Sequence, residues 1–138
     1  MPVSDYSIVQ ALRQNAKRPY TEMAKSLGVS DTAIRKRVKK LEKKGIIRKY
    51  TVEVDTQRLG YRTALIGIDT VPEKLISALD KLNETEEIDA LYQSSGDHMI
   101  MIEYWFQTPQ ELSQFIRGLE QMEGVTKVCP AILLDRIK

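Results

Sequence analysis

Residues 27–45 read LGVSDTAIRKRVKKLEKKG, and this stretch decides the N-terminal fold. Ser30 is a good N-cap, because a serine hydroxyl accepts from the free amides of a first helical turn. Gly45 marks the far end, where a residue with left-handed freedom closes the last turn. Between them Ile34, Val38 and Leu41 recur at i, i+4 and i+7, the spacing of one packed helix face. An advance of roughly 100° per residue puts Thr32, Lys36, Lys39 and Lys43 on the opposite face, with Arg35 and Lys40 flanking them. Upstream, Gly28 permits a tight turn after Leu27, and Ala24 is small where two helices must approach. A helix over 21–27, capped by Thr21, followed by the helix from Ser30 to Lys44, makes a helix-turn-helix. A first helix over 4–15, with Ile8, Ala11 and Leu12 on one face, completes a three-helix head.

A helix that packs on one side and projects cations on the other suits the major groove of double-stranded DNA. The N-terminal half of such a helix meets base edges, so Ser30, Thr32, Arg35 and Lys36 are the candidate readers. Lys39, Lys40 and Lys43, with Lys44, Arg48 and Lys49 beyond, are candidate phosphate contacts, which position the protein without specifying sequence. Arg37 lies nearer the packed side and is expected to support Glu42 or the backbone. Asp31 is expected to complement the helix dipole.

The charge distribution agrees with this placement. Residues 1–50 hold 13 Lys and Arg against 4 Asp and Glu, whereas 51–138 hold 8 against 15. A basic head on an acidic body points to a polyanion partner for the head alone. No apolar run approaches the length that spans a bilayer, so no membrane partner is expected. The N-terminus lacks the pattern of a secretory leader, and a cytoplasmic location is expected. Cys129 is the one cysteine and His98 the one histidine, which leaves no cysteine-cluster metal site, no Ser-His-Asp set and no expected cofactor.

After the head, Ile46, Ile47, Tyr50, Thr51, Val52 and Val54 raise the β-branched and aromatic content, so 46–54 is expected to be extended, with a turn over 55–60. Further along, 62–69 alternates as a strand, 72–83 reads as a helix, and 88–95 and 98–106 read as strands around a turn at 95–97. Thr108-Pro109-Gln110-Glu111 is a capping box with proline at the first helical position. The helix it starts runs to about Gly124, and 125–137 supplies the last strand. The order βαββαβ favours an α+β, ferredoxin-like sandwich with both helices on one face of an antiparallel sheet. The expected organisation is therefore a head over 1–48, a linking strand and hinge over 49–60, and a sandwich over 61–138. The strand at 98–106 is apolar on both faces, with Ile100, Ile102, Tyr104 and Phe106 on one and Met99, Met101 and Trp105 on the other. If the helices cover one face, a second copy of the chain would cover the other, giving a homodimer.

These residues resemble the Lrp/AsnC family of regulators. The matching positions in the head are Asp5, Ile8, Leu12, Asn15-Ala16-Lys17-Arg18, Glu22-Met23-Ala24, Leu27-Gly28-Val29-Ser30, Arg37-Val38, Leu41-Glu42 and Gly45-Ile46-Ile47. Further matches are Val54-Asp55, Leu59-Gly60, Gly96-Asp97, Gly124-Val125 and Lys138, so the resemblance spans essentially the whole chain. It implies a winged-type helix-turn-helix head, dimers that assemble into higher oligomers, pseudo-palindromic DNA sites, and an amino-acid or small-metabolite effector. The resemblance places a candidate effector site at Ser95, Gly96, Asp97, His98 and Val128. There the chain departs from the family, which usually carries Gly-Asp-aromatic-Asp in the turn and threonines where Val128 and Pro130 stand. Either the ligand differs or none binds. Two alternatives remain beside a sequence-specific regulator: an architectural protein with little sequence preference, and a family-related enzyme such as a siroheme decarboxylase.

Overall fold

The computed structural model describes residues 3–138. The chain divides into two compact units between Glu53 and Val54, inside the segment expected to act as hinge.

The first unit is a three-helix head. Helix α1 spans Asp5–Gln14, α2 spans Tyr20–Leu27 and α3 spans Asp31–Lys43. Ser4 caps α1 by accepting from the Ser7 amide at 3.1 Å, and Ser30 caps α3 by accepting from the Ala33 amide at 3.1 Å. The expected Thr21 cap is not formed: α2 begins one residue earlier, behind Pro19. Proline presets φ near the helical value, and the Pro19 carbonyl accepts from Glu22 and Met23, so the turn starts without a side-chain cap. Gly28 takes the left-handed conformation, at φ 71°, that the tight turn between α2 and α3 demands. Ile8, Met23, Ile34, Val38 and Leu41 are essentially inaccessible and form the centre of the head.

Arg37 supports the backbone, one of its two expected roles, and not Glu42. Its guanidinium bonds the Asp5 carboxylate at 2.7 Å and the Val3 carbonyl at 2.8 Å, tying the start of α1 to α3. Glu42 is out of its reach because, at roughly 100° per residue, the two side chains leave α3 on opposite flanks of the buried stripe.

The expected linking strand is absent from the single chain: residues 48–55 carry no strand assignment. A strand exists only against a ladder partner, and none of the described residues pairs with this segment. Tyr50, Val52 and Val54 are exposed at alternate positions along it. A turn follows, with Tyr61 donating to the Thr56 carbonyl at 2.8 Å.

The second unit is the sandwich. Its elements are β1 (Arg62–Thr70), α4 (Leu75–Asn83), β2 (Ile88–Gln93), β3 (Ile100–Phe106), α5 (Pro109–Glu120) and β4 (Val125–Ile132). A 3-10 turn over Pro72–Lys74 enters α4. The sheet order is β2-β3-β1-β4, with every neighbouring pair antiparallel. Thr108 caps α5 through the Glu111 amide at 3.2 Å, and Glu111 accepts in return from the Gln107 amide at 3.0 Å. Ala64, Ile66 and Ile68 of β1 and Ile100, Ile102, Tyr104 and Phe106 of β3 form the buried face, against Ala78 and Leu82 of α4 and Leu112 and Leu119 of α5. Tyr104 stacks on Phe115 with ring centroids 3.8 Å apart, which fastens α5 to β3.

Four strand ends differ from expectation: β1 runs one residue further, to Thr70, and β2 stops at Gln93, two residues before 95. The last strand stops at Ile132, with one further ladder bond from Leu133 to Thr63, so residues beyond it leave the sheet. Strand β3 begins at Ile100, because the backbone before it is drawn into a turn by side-chain bonds described below. Met99 accordingly packs against the helix-side core, not on the open face with Met101 and Trp105.

Candidate nucleic-acid interface and effector turn

Helix α3 presents its two faces cleanly. Ile34, Val38 and Leu41 are at most 1% exposed, while Thr32, Arg35, Lys36, Lys39, Lys40 and Lys43 are all exposed. The five lysine and threonine members of that set carry no ion pair among the described residues, and neither do Lys44, Arg48 and Lys49. Six predicted residues therefore share one accessible surface. Ser30 stands at its end with one hydroxyl lone pair already committed to the cap, so its free capacity is chiefly its proton.

Arg35 is held where the lysines are free. Its guanidinium carbon lies 5.3 Å from the centroid of the Tyr20 ring, and its Nη2 lies 3.7 Å from Asp31 Oδ2. Asp31 thus combines its first-turn position with an i,i+4 pair. Next to Tyr20 sits Tyr50, whose hydroxyl donates to Glu42 Oε2 at 3.2 Å. Partial burial, the Glu42 carboxylate and the Tyr20 side chain push the Tyr50 hydroxyl up to about 12. The sequence reading missed both tyrosines, although Tyr20 directly after Pro19, at a helix start, was a visible signal.

In the sandwich, the turn between β2 and β3 is organised by a residue outside it. Asp69, near the end of β1, accepts from the Met99 amide at 2.9 Å and lies 3.0 Å from His98 Nδ1. The His98 bond, helped by the Met99 amide and the Lys127 charge, holds the Asp69 carboxyl below its ordinary value against the opposing effect of burial. The imidazole lies over Gly67, where a β-carbon would collide with it. Ser94 completes the turn, its hydroxyl donating to the His98 carbonyl at 2.7 Å. That bond directs the Ser94 hydroxyl at the backbone of the turn.

The five predicted effector residues do not all meet. Ser95, Gly96 and Asp97 are exposed in the turn beside His98, with Gly96 at φ 107°. Val128 is paired with Ile68, and directly paired residues share a face. Val128 therefore packs into the helix-side core, across the sheet from Gly67 and Asp69. Asp69 joins the turn to the sheet, and sequence reading had it only as the last residue of the strand over 62–69. Among the described residues no group of three metal-ligating side chains comes together, and no helix is long and apolar enough to cross a membrane.

Comparison with known proteins assigns both units. A model of winged helix-turn-helix DNA-binding domains matches residues 2–48, and a model of the Lrp/AsnC ligand-binding domain matches 63–138. The HTH-type transcriptional regulator LrpA of Pyrococcus horikoshii is 48% identical over 136 residues, covering 97% of this chain and 96% of its own. The HTH-type transcriptional regulator LrpA1 of Halobacterium salinarum is 35% identical, covering 95% and 94%. The solved structure of AsnC from E. coli superposes with a TM-score of 0.77 at 28% identity, over 100% of this chain and 96% of that one.

Proposed function

The chain belongs to the Lrp/AsnC family of helix-turn-helix transcriptional regulators, and on that premise we propose that α3 reads a specific operator as one half of a homodimer. The observation that carries the reading is the two-sidedness of α3, buried by Ile34, Val38 and Leu41 and cationic on the face left open. Thr32, Arg35 and Lys36 meet base edges, with Ser30 at the margin. Lys39, Lys40 and Lys43 neutralise phosphates and set the register.

Dimerisation is supported by the sandwich's uncovered sheet face. Leu65, Met101 and Trp105 lie there half-buried, with exposed Tyr92 on the neighbouring strand, so a second copy would remove apolar area from water. The linking segment points the same way: Tyr50, Val52 and Val54 have strand periodicity and lack a ladder, which the same segment of a second copy would supply. Dimers of this kind carry two reading heads and would associate further into higher oligomers. The effector, an amino acid or related metabolite, would engage the turn at Ser95–His98, where Asp97 is exposed and unpaired among the described residues and could accept an ammonium group. The protein acts in the cytoplasm with its DNA, and no catalytic role is assigned to the His98–Asp69 pair.

Footprinting and titration on the DNA upstream of the protein's own gene test the reading. Protected patches about 10 base pairs apart, and preference for that site over bulk DNA of about 10³-fold or more, are expected. Uniform affinity for every duplex would overturn it in favour of an architectural role. Retention of that affinity at high salt would overturn the phosphate contacts.

A further inference from the structure

Of the two arginines on α3, only one is free to recognise a base. Arg37 is committed to Asp5 and the Val3 carbonyl on the α1 side. Arg35 keeps 60% of its side chain exposed while its guanidinium rests between the Tyr20 ring and Asp31. The remaining cations of the reading face are lysines, which are point charges on flexible stems and distinguish bases poorly. The planar fork of arginine, by contrast, matches the paired acceptors of a guanine edge. The capacity of α3 to discriminate bases by charge-assisted bonds is therefore concentrated in Arg35.

A guanidinium on a free stem loses rotamer entropy when it docks. One already seated on an aromatic ring loses less, and cation–π attraction leaves the N–H edges free to bond elsewhere. Tyr20 is the first residue of α2, fixed behind Pro19 and packed against the core of the head. Tyr50 comes from the linking segment and is pinned to Glu42, on the same flank of α3 as Arg35 and Asp31. We propose that Tyr20 is a positioning residue for base recognition, seating the Arg35 fork before DNA arrives, and that Tyr50 braces this seat from the linking segment. The proposal rests on α3 being the reading helix. It adds which side chain sets specificity and how the course of the linker reaches it.

The test uses the full chain and an operator found by footprinting, with each base pair of the half-site varied in turn. Tyr20→Leu keeps apolar bulk for the head's core and removes the ring. It should lower discrimination at one guanine-containing base pair about fivefold, leaving the affinity for non-specific duplex and its salt dependence unchanged. Arg35→Lys should lose discrimination at the same pair, and the double variant should lose no more than Arg35→Lys alone. Tyr20→Phe restores the ring and should restore discrimination to within about twofold of the parent. Tyr50→Phe, which removes the bond to Glu42, should fall between parent and Tyr20→Leu.

A second readout needs no DNA. The Arg35 side-chain protons in the free protein should show a ring-current shift that Tyr20→Leu abolishes and Tyr20→Phe keeps. Absence of that shift in the parent would overturn the seat. Equal selectivity of parent and Tyr20→Leu, or additive losses in the double variant, would overturn the role of Tyr20 while leaving DNA reading by α3 intact. A parent indifferent to sequence would overturn both.

Discussion

The head and the sandwich show their functions in different ways. In the head, one helix carries both the packing residues and the candidate contacts, separated only by rotation about its axis. Ile34, Val38 and Leu41 face in, and Thr32, Lys36, Lys39 and Lys43 face out. In the sandwich, the candidate site is assembled across the sheet. His98 comes from the turn before β3, its partner Asp69 from β1, and the space for its ring from Gly67. Function built on one helix is local in sequence and tolerates change in its neighbours. Function built from several strands depends on the register of the whole sheet.

If the two regions are separately built, equivalent damage should stay where it is made. The head's core consists of eight buried residues and the sandwich's of eleven among those described, so one truncation removes a larger share of the head. Ile34→Ala should cost about 2–5 kcal/mol, comparable with the whole stability of a unit of this size. Amide exchange should show the head unprotected while β1 and β3 stay protected, and DNA binding should be lost. Loss of protection in both regions together would break the comparison. Ile66→Ala should have the converse pattern, with partial loss of protection in the sandwich and the head unchanged.

Gly67→Ala probes the assembled site with a single methyl. The added β-carbon would collide with the His98 ring, so the imidazole must leave or the strand must shift, at about 1–3 kcal/mol. Thermal unfolding of the sandwich should move down while the head's transition stays in place, and the His98–Asp69 bond should disappear from the imidazole resonances. An unchanged sandwich transition would show that the ring is not locked over residue 67.

Asp69→Asn should cost about 1 kcal/mol near neutral pH, since an amide accepts from the Met99 amide less strongly than a carboxylate does. The parent's advantage depends on pH with a definite sign. Asp69 titrates below its ordinary value of 3.8 when folded, so its contribution is complete above that value and is lost as pH falls through the lowered one. Parent and variant should therefore converge in urea unfolding only well into the acid range. A constant gap down to strongly acid pH would mean that the carboxylate charge is not what holds the turn.

What could be read from the amino-acid order follows the same division. The stripe and caps of α3, the left-handed Gly28 and the capping box at Thr108 depend on residues within one or two turns of each other, and all four appear in the structure. The βαββαβ order was also legible, because each element advertises its own period. The pairings Arg37–Asp5, His98–Asp69 and Arg35–Tyr20 join residues from separate elements, and no local pattern encodes them. Val128 was misplaced for the same reason: its face depends on pairing with Ile68. The linking strand failed differently. Its residues have strand periodicity, but a strand also requires a ladder partner, and the described residues of the single chain offer none.

The smallest effect separates the two halves of the reading face itself. Lys43 lies in the last turn of α3, exposed and without an ion pair among the described residues, far from the N-terminal turns that would meet bases. If it serves as a phosphate contact, Lys43→Ala should weaken cognate and unrelated duplexes by the same factor and reduce the salt slope of binding by about 1. Lys36→Ala, on the same face about two turns earlier, should instead weaken the cognate site more than unrelated DNA. Both substitutions remove the same charge from the same helix, so bulk electrostatics predicts identical results for them. Only a groove-bound α3 with its N-terminus toward the bases predicts that they differ. Equal selectivity of the two variants would therefore place Lys36 among the phosphate contacts and leave Thr32 and Arg35 as the readers.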